Sequence, residues 1–366
     1  MKSSFWKVIG RPVLLAGMLA SANATMQAQA PAGPEPTSPP QANPAPKPAA
    51  PQQQKPQEAG ISIAVEVPVV TLDVVAATQN GDIIPGLKKE NFRVLEDGQP
   101  QAIINFAPSE APITMVVLME FSNVRGGWFS AYAQYWADAL FPNLNQKDWV
   151  ALVTFDMRPH TEVDFTQNKE EVRRAIYQLF VPGFSESNLF DAILDTTDRM
   201  KDIKGKKAIL VIASGIDTFS KHTLDQTMKQ LRGSDTAIFA VGVDKPISNW
   251  MEMNGRLSGR RDLTFLQAEN QLKTFAQMTG GLAWFPQFDG ELPGIMREVA
   301  SFLRHQYSLS YTPTNQSQDG KFRKIKVELV APDGGPLTVT DQKGKKQKIV
   351  VYTREGYQPV KGGVGD

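Results

Sequence analysis

The sequence predicts an α/β protein in which a Rossmann-like, mostly parallel sheet is inserted between two β segments that form a small antiparallel sandwich. Between residues 113 and 305, five continuous apolar runs alternate with helical patterns. Continuous runs are typical of parallel strands that are covered on both faces. The flanking segments alternate apolar with polar residues in part, which indicates half-buried antiparallel strands. A folded part of about 300 residues suits two packed units better than one.

The chain begins with the features of a secretory signal at residues 1–24. Three basic residues accompany an apolar run at residues 12–20, and residues 22–24 read Ala-Asn-Ala, a small-x-small cleavage site. The apolar run is far shorter than the roughly 20 residues that cross a bilayer, so a membrane anchor is the weaker interpretation. We therefore expect a secreted or periplasmic protein with no transmembrane segment in the mature chain.

Residues 25–60 are rich in Pro, Ala and Gln and contain little that could be buried. This composition predicts an extended, disordered linker that serves as a tether. The chain has no cysteine, so neither disulfides nor a lipid-modified cysteine is available. With 39 basic and 38 acidic residues, the net charge of +1 gives no reason to expect a nucleic-acid partner.

The two flanking segments, residues 61–112 and 306–359, are predicted to pair into a single antiparallel sandwich. Asn-Gly and Asp-Gly dipeptides at positions 80, 97, 319 and 333 mark tight turns between strand-like runs. Such pairing would hold the two ends of the central domain together and point its C-terminal strand ends away from the sandwich. A lysine-rich stretch at 341–348 is predicted to be a solvated hairpin tip, with a binding patch as the alternative.

The central segment, residues 113–305, is predicted to be a doubly wound sheet with helices between its strands. Ligand sites in such sheets lie at the loops that follow the carboxyl ends of the strands. We predict strands at 113–119, 149–155, 208–213, 237–243 and 282–285, and helices at 128–141, 168–180 with Asn168 as the cap, 189–202, 223–231 and 269–278, the last ending at Gly280 and Gly281.

Nucleotide cofactors are disfavoured on this sheet. The loop after the first strand reads "EFSNVRGGW" and lacks the G-x-G-x-x-G arrangement that cradles a pyrophosphate, and no P-loop motif occurs. The loops at the sheet rim must therefore be interpreted in another way.

Four segments of the central domain carry a family resemblance: the acid-x-Ser loop at 120–122, "SESNLFDAI", "AILVIASGIDT" and "QMTGGLAWF". In this order and spacing they resemble a von Willebrand factor type A (vWA) domain. The flanks "VVTLDVVAATQNGDIIPGLKKENFRVLEDGQPQAI", "QYSLSYTPTNQSQDGKFRKIKVEL" and "VVYTREGYQP" are similar to those of the secreted acidobacterial VWFA-related proteins. The resemblance covers about residues 61–359. It implies an adhesion or protein-binding module with no catalysis.

The same resemblance places a metal-ion-dependent adhesion site at the rim of the sheet. In the family its first loop reads D-x-S-x-S, and here the last of these positions is Val124, which offers no oxygen. Magnesium takes six oxygens at about 2.1 Å, usually with carboxylate charge, so this site is expected to be degenerate. No cofactor is expected, with Mg²⁺ or Ca²⁺ as the alternative. The candidate metal positions are Glu120, Ser122, Ser187 at the family's threonine position, Ser214 at its aspartate position, and Asp217 three residues further on.

The contact surface for a protein partner is predicted at the same rim, in loops 120–127, 183–188 and 214–220. Asn123, Phe184 and Asn188 are the candidate contact residues, because apolar anchors flanked by polar groups suit a protein interface. Trp128 and Phe129 follow the first loop and are candidate anchors, with a core position in the first helix as the alternative for at least one of them.

Other clusters of polar residues give weaker signals. Four aspartates spaced along the helix at 189–202 are interpreted as a solvated face rather than a cation site: Asp191, Asp195, Asp198 and Asp202. The three histidines lie in different segments without ligand spacing, so a zinc site is not expected: His160, His222 and His305. No G-x-S-x-G elbow occurs. Metal-dependent adhesion and a hydrolase using rim carboxylates or Ser214 remain as alternatives to metal-independent protein binding.

Overall fold

The computed structural model describes residues 68–108, 111–122, 132, 135–179, 184–253, 263–340 and 343–359. They lie in one compact unit that spans Ala64–Asp366. The predicted signal and linker, together with Asn123, Val124, Trp128 and Phe129, fall outside the described residues. Within the described part of the chain, no helix is both long and apolar enough to cross a membrane.

The centre of the fold is a six-stranded, mostly parallel sheet. Its strands are β5 (Ile113–Glu120), β6 (Trp149–Phe155), β7 (Pro159–Thr166), β8 (Lys206–Ala213), β9 (Ala237–Gly242) and β10 (Ala283–Trp284). They lie in the order β10-β9-β8-β5-β6-β7. Almost every residue of β5, β8 and β9 is buried, as is typical of continuous apolar runs in a sheet that is covered on both faces. The fold class predicted from the sequence is thereby confirmed.

Helices cover both faces of this sheet. The helices are α1 (Lys169–Tyr177), α2 (Leu189–Arg199), α3 (Leu224–Leu231), α4 (Asp244–Met253), α5 (Leu263–Thr279) and α6 (Leu292–Arg304). On one face α2, α3 and α5 pack against alternate strand residues, and on the other face α1, α4, α6 and the helical residues 135–140 do so. Short 3₁₀ turns occur at Lys89–Asn91, Phe141–Asn143 and Asp289–Glu291.

The structure differs from the sequence-based expectation in several elements. Strand β7 and helices α4 and α6 were not predicted, and α5 begins before the predicted residue 269. Asn168 does precede α1, but its side chain makes no capping bond because its backbone (φ −83°, ψ 88°) is not extended. By contrast, α5 ends where the glycines predict: Gly280 has φ 85°, the left-handed conformation that terminates helices.

The flanking segments form two four-stranded antiparallel sheets that face each other across a shared core. The strands are β1 (Val70–Thr78), β2 (Phe92–Glu96), β3 (Gln99–Gln101), β4 (Ile103–Pro108), β11 (Tyr307–Tyr311), β12 (Arg323–Leu329), β15 (Ile349–Tyr352) and β16 (Gly356–Tyr357), with a separate hairpin of β13 (Val339–Thr340) and β14 (Lys346–Gln347). The strand orders are β15-β1-β11-β4 and β16-β12-β2-β3, so each sheet combines strands from both flanking segments.

A buried polar network crosses the sandwich core. Glu96 accepts hydrogen bonds from the hydroxyls of Tyr311 (2.7 Å) and Tyr357 (3.1 Å), and the Arg323 guanidinium lies 3.7 Å from its other oxygen. Arg323 also donates to the Ser317 carbonyl at 2.9 Å. A buried carboxylate with these partners is satisfied, so the network is compatible with a folded core.

The central domain is joined to the sandwich at the N-terminal edge of its sheet. Ile113, the first residue of β5, donates its N–H to Asp148 Oδ1 at 3.0 Å. Arg304, the last residue of α6, forms an ion pair with the other oxygen of the same carboxylate. Phe302 of α6 contacts Tyr352 of β15 edge to face, with ring centroids 5.5 Å apart. The opposite edge, where the parallel strands end, is therefore turned away from the sandwich.

Candidate functional site at the rim of the central sheet

The ends of β5 and β8 bring the first and third candidate loops together. These strands are parallel neighbours, with Met119 opposite Ile212. Glu120 is the last residue of β5, Ser122 follows two positions later, and Ser214 comes directly after β8. All three side chains are buried. Adjacent parallel strands therefore place an acid and two hydroxyls at one point of the rim.

Glu120 is the centre of this arrangement because its carboxylate bridges the two loops. Ser214 donates both its backbone N–H and its hydroxyl to Glu120 Oε2, each at 2.7 Å. Ser122 donates its hydroxyl to Oε1 at 3.3 Å. The Ser214 hydroxyl in turn accepts from the Ile216 N–H at 3.2 Å. Ser214 thus acts as a donor to Glu120 where a second carboxylate would repel it.

The second loop is tied to the third through Ser187. Its carbonyl accepts from the N–H groups of Thr218 (2.8 Å) and Phe219 (3.0 Å), and its own N–H donates to the Thr218 hydroxyl at 2.9 Å. The Ser187 hydroxyl is buried and has no hydrogen-bond partner among the described residues. The backbone of Ser187 is therefore fixed, while its side-chain oxygen is unsatisfied.

Asp217 is directed toward α2 by its hydrogen bonds. One carboxylate oxygen accepts from the Phe190 N–H at 3.2 Å and from the Ser220 hydroxyl at 2.6 Å. Burial raises the pKa of Asp217, and these hydrogen bonds oppose the increase. This carboxylate stabilises the contact between the third loop and the start of α2.

A second carboxylate completes this contact from the helix side. Asp191 accepts from the N–H groups of Lys221 (2.9 Å) and His222 (3.1 Å) and from His222 Nδ1 (2.7 Å). Burial acts to raise the pKa of Asp191, but the hydrogen bonds from Lys221 and His222 outweigh it and lower the pKa. Asp191 therefore holds the loop and is not simply solvated, and Asp202 lies beyond the end of α2. We call this contact, formed by Asp191, Asp217, Ser220, Lys221 and His222, the loop latch.

The described side chains at the rim are poorly suited to coordinating a magnesium ion. They supply one carboxylate, Glu120, whose oxygens already accept three hydrogen bonds from Ser122 and Ser214. The Ser214 hydroxyl is used both as donor and as acceptor. Magnesium demands near-octahedral oxygen ligands, usually including carboxylates that are free to coordinate. Among the described residues, no cluster of three or more His, Asp or Glu side chains is arranged to hold a metal.

The candidate contact residues have different environments. Phe184 is 46% exposed, whereas Asn188 is only 3% exposed and donates its side-chain N–H to the Met157 carbonyl at 2.9 Å. Phe219 lies in the predicted contact loop 214–220 but was not singled out there, and it is 49% exposed beside Ser187. Asp-Thr-Phe-Ser reads as an ordinary turn, so only the loop geometry reveals this ring. Phe184 and Phe219 are thus exposed aromatic rings on the two loops that Ser187 joins.

Asp244 is a second rim residue that the sequence did not reveal. It opens α4 two residues after the end of β9, is 3% exposed, and its Oδ1 has no partner among the described residues. Burial, with repulsion from Glu269, raises the pKa of Asp244 to about 6. Two of the histidines make contacts elsewhere: His160 lies 3.3 Å from Asp156, and His305 lies at the end of α6.

Residues 123–277 match the family model for the von Willebrand factor type A domain. No curated protein matches the sequence. Among solved structures, the protein BatB from Bacteroides thetaiotaomicron is 15% identical, with 52% of this chain and 98% of that chain covered and a TM-score of 0.37. The vWF domain of the type V pili tip protein Mfa5 from Porphyromonas gingivalis is 11% identical, with 52% and 94% covered and a TM-score of 0.38. A von Willebrand factor type A protein from Catenulispora acidiphila is 10% identical, with 77% and 73% covered and a TM-score of 0.41.

Proposed function

We propose that this chain, which contains a vWA-type domain, is a secreted or periplasmic, non-catalytic module that binds a protein partner through the rim without a metal ion. Within that family we place it nearest the secreted acidobacterial VWFA-related proteins. One observation carries the proposal: Glu120 is satisfied by Ser122 and Ser214 at 2.7–3.3 Å, so hydrogen bonds from the protein occupy the carboxylate on which a cation would depend.

The exposed rings at the rim support a protein partner. Phe184 and Phe219 are both about half exposed, and the backbone bonds at Ser187 fix the loops that carry them. Aromatic rings on rigid supports lose little conformational entropy when they are buried against a partner, and they are common binding hot spots. The partner would bury both rings together.

A thermal titration tests whether a cation takes part. A ligand that binds only the folded state must raise the melting temperature. Adding Mg²⁺ or Ca²⁺ to the metal-stripped mature protein is expected to leave the melting temperature unchanged. A saturable increase with either ion would overturn metal independence.

A capture experiment tests the surface. Proteins that the mature chain retains from the envelope of its source organism should be the same, in the same amounts, with and without a chelator. Phe184→Ser with Phe219→Ser should abolish their retention, while Phe322→Ser, a similarly exposed ring in the sandwich, should not. Equal retention by both variants would show that the rim is not the contact surface.

Metal-dependent adhesion is the second candidate, and the unsatisfied Ser187 hydroxyl favours it. A cation would give this oxygen a partner. Ser187→Ala separates the two functions: in the metal-independent case partner retention is unchanged, and in the metal-dependent case both retention and any ion-induced thermal shift are lost.

A further inference from the structure

A cleft of about 560 Å³ opens in the sandwich, independently of the rim. Its wall includes residues of β12, of β15 and of the turn and hairpin that connect them. Its lining is aliphatic with a basic margin: Leu329, Val330, Leu337, Ile349 and Val351 supply the apolar surface, and Arg93, Lys326 and Lys348 supply the positive charge.

The backbone of β15 faces this cleft without a partner strand. β15 is the last strand of its sheet and pairs only with β1. Gln79 donates its N–H to the Lys348 carbonyl at 2.8 Å, so the backbone carbonyl of Lys348 points toward β1. In an antiparallel strand the backbone N–H and C=O groups of successive residues point alternately to the two neighbouring strand positions. Those of Ile349 and Val351 therefore point away from β1. Among the described residues, neither has a hydrogen-bond partner for these groups.

Strand β12 also has backbone groups without a partner strand. Ile325 donates its N–H to the Glu355 carbonyl at 2.7 Å, and the Leu329 carbonyl accepts from Leu337 at 3.2 Å, both on the side away from β2. Val327 lies between them and by the same alternation turns its N–H and C=O to that side. In the described part of the chain these groups are also without partners. Unpaired strand edges of this kind are templates for an added strand.

The charges around the cleft indicate which peptide would fit it. Arg93 and Lys326 have side chains that are 47% and 69% exposed, and they share one carboxylate, Glu328, at 3.9 and 2.7 Å. Lys348 adds a third positive charge to the lining. Three cations to one anion leave the margin positive, so it complements an acidic ligand.

We infer that the cleft binds an extended, acidic peptide segment of a partner protein as an added strand beside β15. Side chains of an extended strand alternate between two faces. Aliphatic residues on one face would pack against Leu337, Ile349 and Val351, while Asp or Glu residues on the other would meet Arg93, Lys326 and Lys348. The peptide backbone would satisfy the free N–H and C=O groups of Ile349 and Val351.

Synthetic peptides test this directly on the mature chain. The probe is an acetylated, amidated heptapeptide in which Val alternates with Glu, and binding is measured by titration calorimetry. The same peptide with Lys in place of Glu should bind at least about tenfold more weakly. A Val/Glu peptide that is N-methylated on alternate amides, so that it cannot donate to β15, should also bind at least about tenfold more weakly.

Protein variants provide the matching control. Lys326→Glu with Lys348→Glu should abolish binding, while Lys229→Glu with Lys273→Glu, the same charge change on exposed helix positions, should not. Unchanged melting temperatures verify that both variants fold. No binding of the Val/Glu peptide at about 1 mM, equal binding of the N-methylated peptide, or displacement of the peptide by anionic lipid vesicles at an equal charge concentration would overturn the inference.

Discussion

At the scale of single residues, the rim is defined by Glu120 and its serine partners. The sequence placed Glu120, Ser122, Ser187 and Ser214 in three loops because a family pattern aligned them, and parallel strand ends then bring those loops together. What the pattern could not supply is the direction of each hydrogen bond. Ser214 donates two bonds to Glu120, whereas the family resemblance led us to expect an acceptor, an aspartate, at this position.

The substitution Ser214→Ala should lower the free energy of unfolding by about 1.5–3 kcal/mol, because the buried Glu120 carboxylate loses one of its hydroxyl donors. Urea unfolding measures the change. Ser185→Ala, at an exposed position of the neighbouring loop, is the control and should change stability by less than about 0.5 kcal/mol. Recovery of the lost stability on adding Mg²⁺ would contradict the hydrogen-bonded interpretation of the site.

Asp244 was not anticipated because its burial, and its approach to Glu269, depend on parts of the chain that are distant in sequence. Its raised pKa means that the folded state holds this proton more tightly than the unfolded chain does. The folded protein therefore loses stability as the pH rises from about 4 to about 6.

Asp244→Asn removes this titration while keeping a similar shape. The melting temperature of the variant relative to the parent should be higher at pH 7.5 than at pH 4, by the equivalent of about 1–3 kcal/mol. Thermal melts across this range measure it, with the exposed Asp225→Asn as a control. A difference that does not change with pH would contradict the assigned pKa.

At the scale of elements, the predicted strands and helices were correct where burial imposes a clear period. β7 was missed because it is an edge strand with Glu162 and Asp164 among its residues, so no face is consistently apolar. Such charges are a usual protection of edge strands. α4 was missed because Pro246 in its first turn resembles a loop signal. α6 did carry a detectable signal: Leu292, Met296, Val299 and Leu303 repeat at helical spacing and are buried.

The loop latch joins two elements, and local sequence gave no means of finding it. Asp191 and Lys221 are 30 residues apart in the chain, and they meet where α2 and β8 pack in the same buried cluster.

Asp191→Ala removes three hydrogen bonds and should speed amide exchange at Lys221 and His222 by about 10- to 100-fold. Hydrogen-exchange mass spectrometry measures this, with Asp195→Ala one helical turn away as the control. Because the pKa of Asp191 is lowered in the fold, its contribution is present above the ordinary pKa near 3.8 and is lost as the pH falls through the lower folded value. Unchanged exchange in Asp191→Ala would show that other contacts hold the loop.

At the scale of the whole molecule, the sandwich and the central sheet share a core. Val75 and Ala77 of β1 belong to the same buried cluster as Met296 and Phe302 of α6 and residues of the central sheet. The sequence predicted that both flanks would pair with each other, because their alternation and turns are clear. It could not predict that strands from each flank would be distributed over both sheets, since pairing between distant strands depends on the assembled core.

Phe302→Ala should therefore destabilise the whole unit by about 3–5 kcal/mol. This ring is 2% exposed and contacts both Trp284 of the central sheet and Tyr352 of the sandwich. Calorimetry should still show one unfolding transition, at a lower temperature. Phe322→Ala, at a 37% exposed ring, is the control and should have a much smaller effect. Two separate transitions in the parent protein would show that the two parts unfold independently.

The carboxylate of Asp148 binds the N–H of Ile113 with one oxygen and Arg304 with the other, so the two ends of the central segment meet at one side chain. Two attachment points this close together mean that the segment between them adds little loop-closure entropy to the sandwich. Strands β4 and β11 can therefore pair as neighbours although about 200 residues of chain separate them.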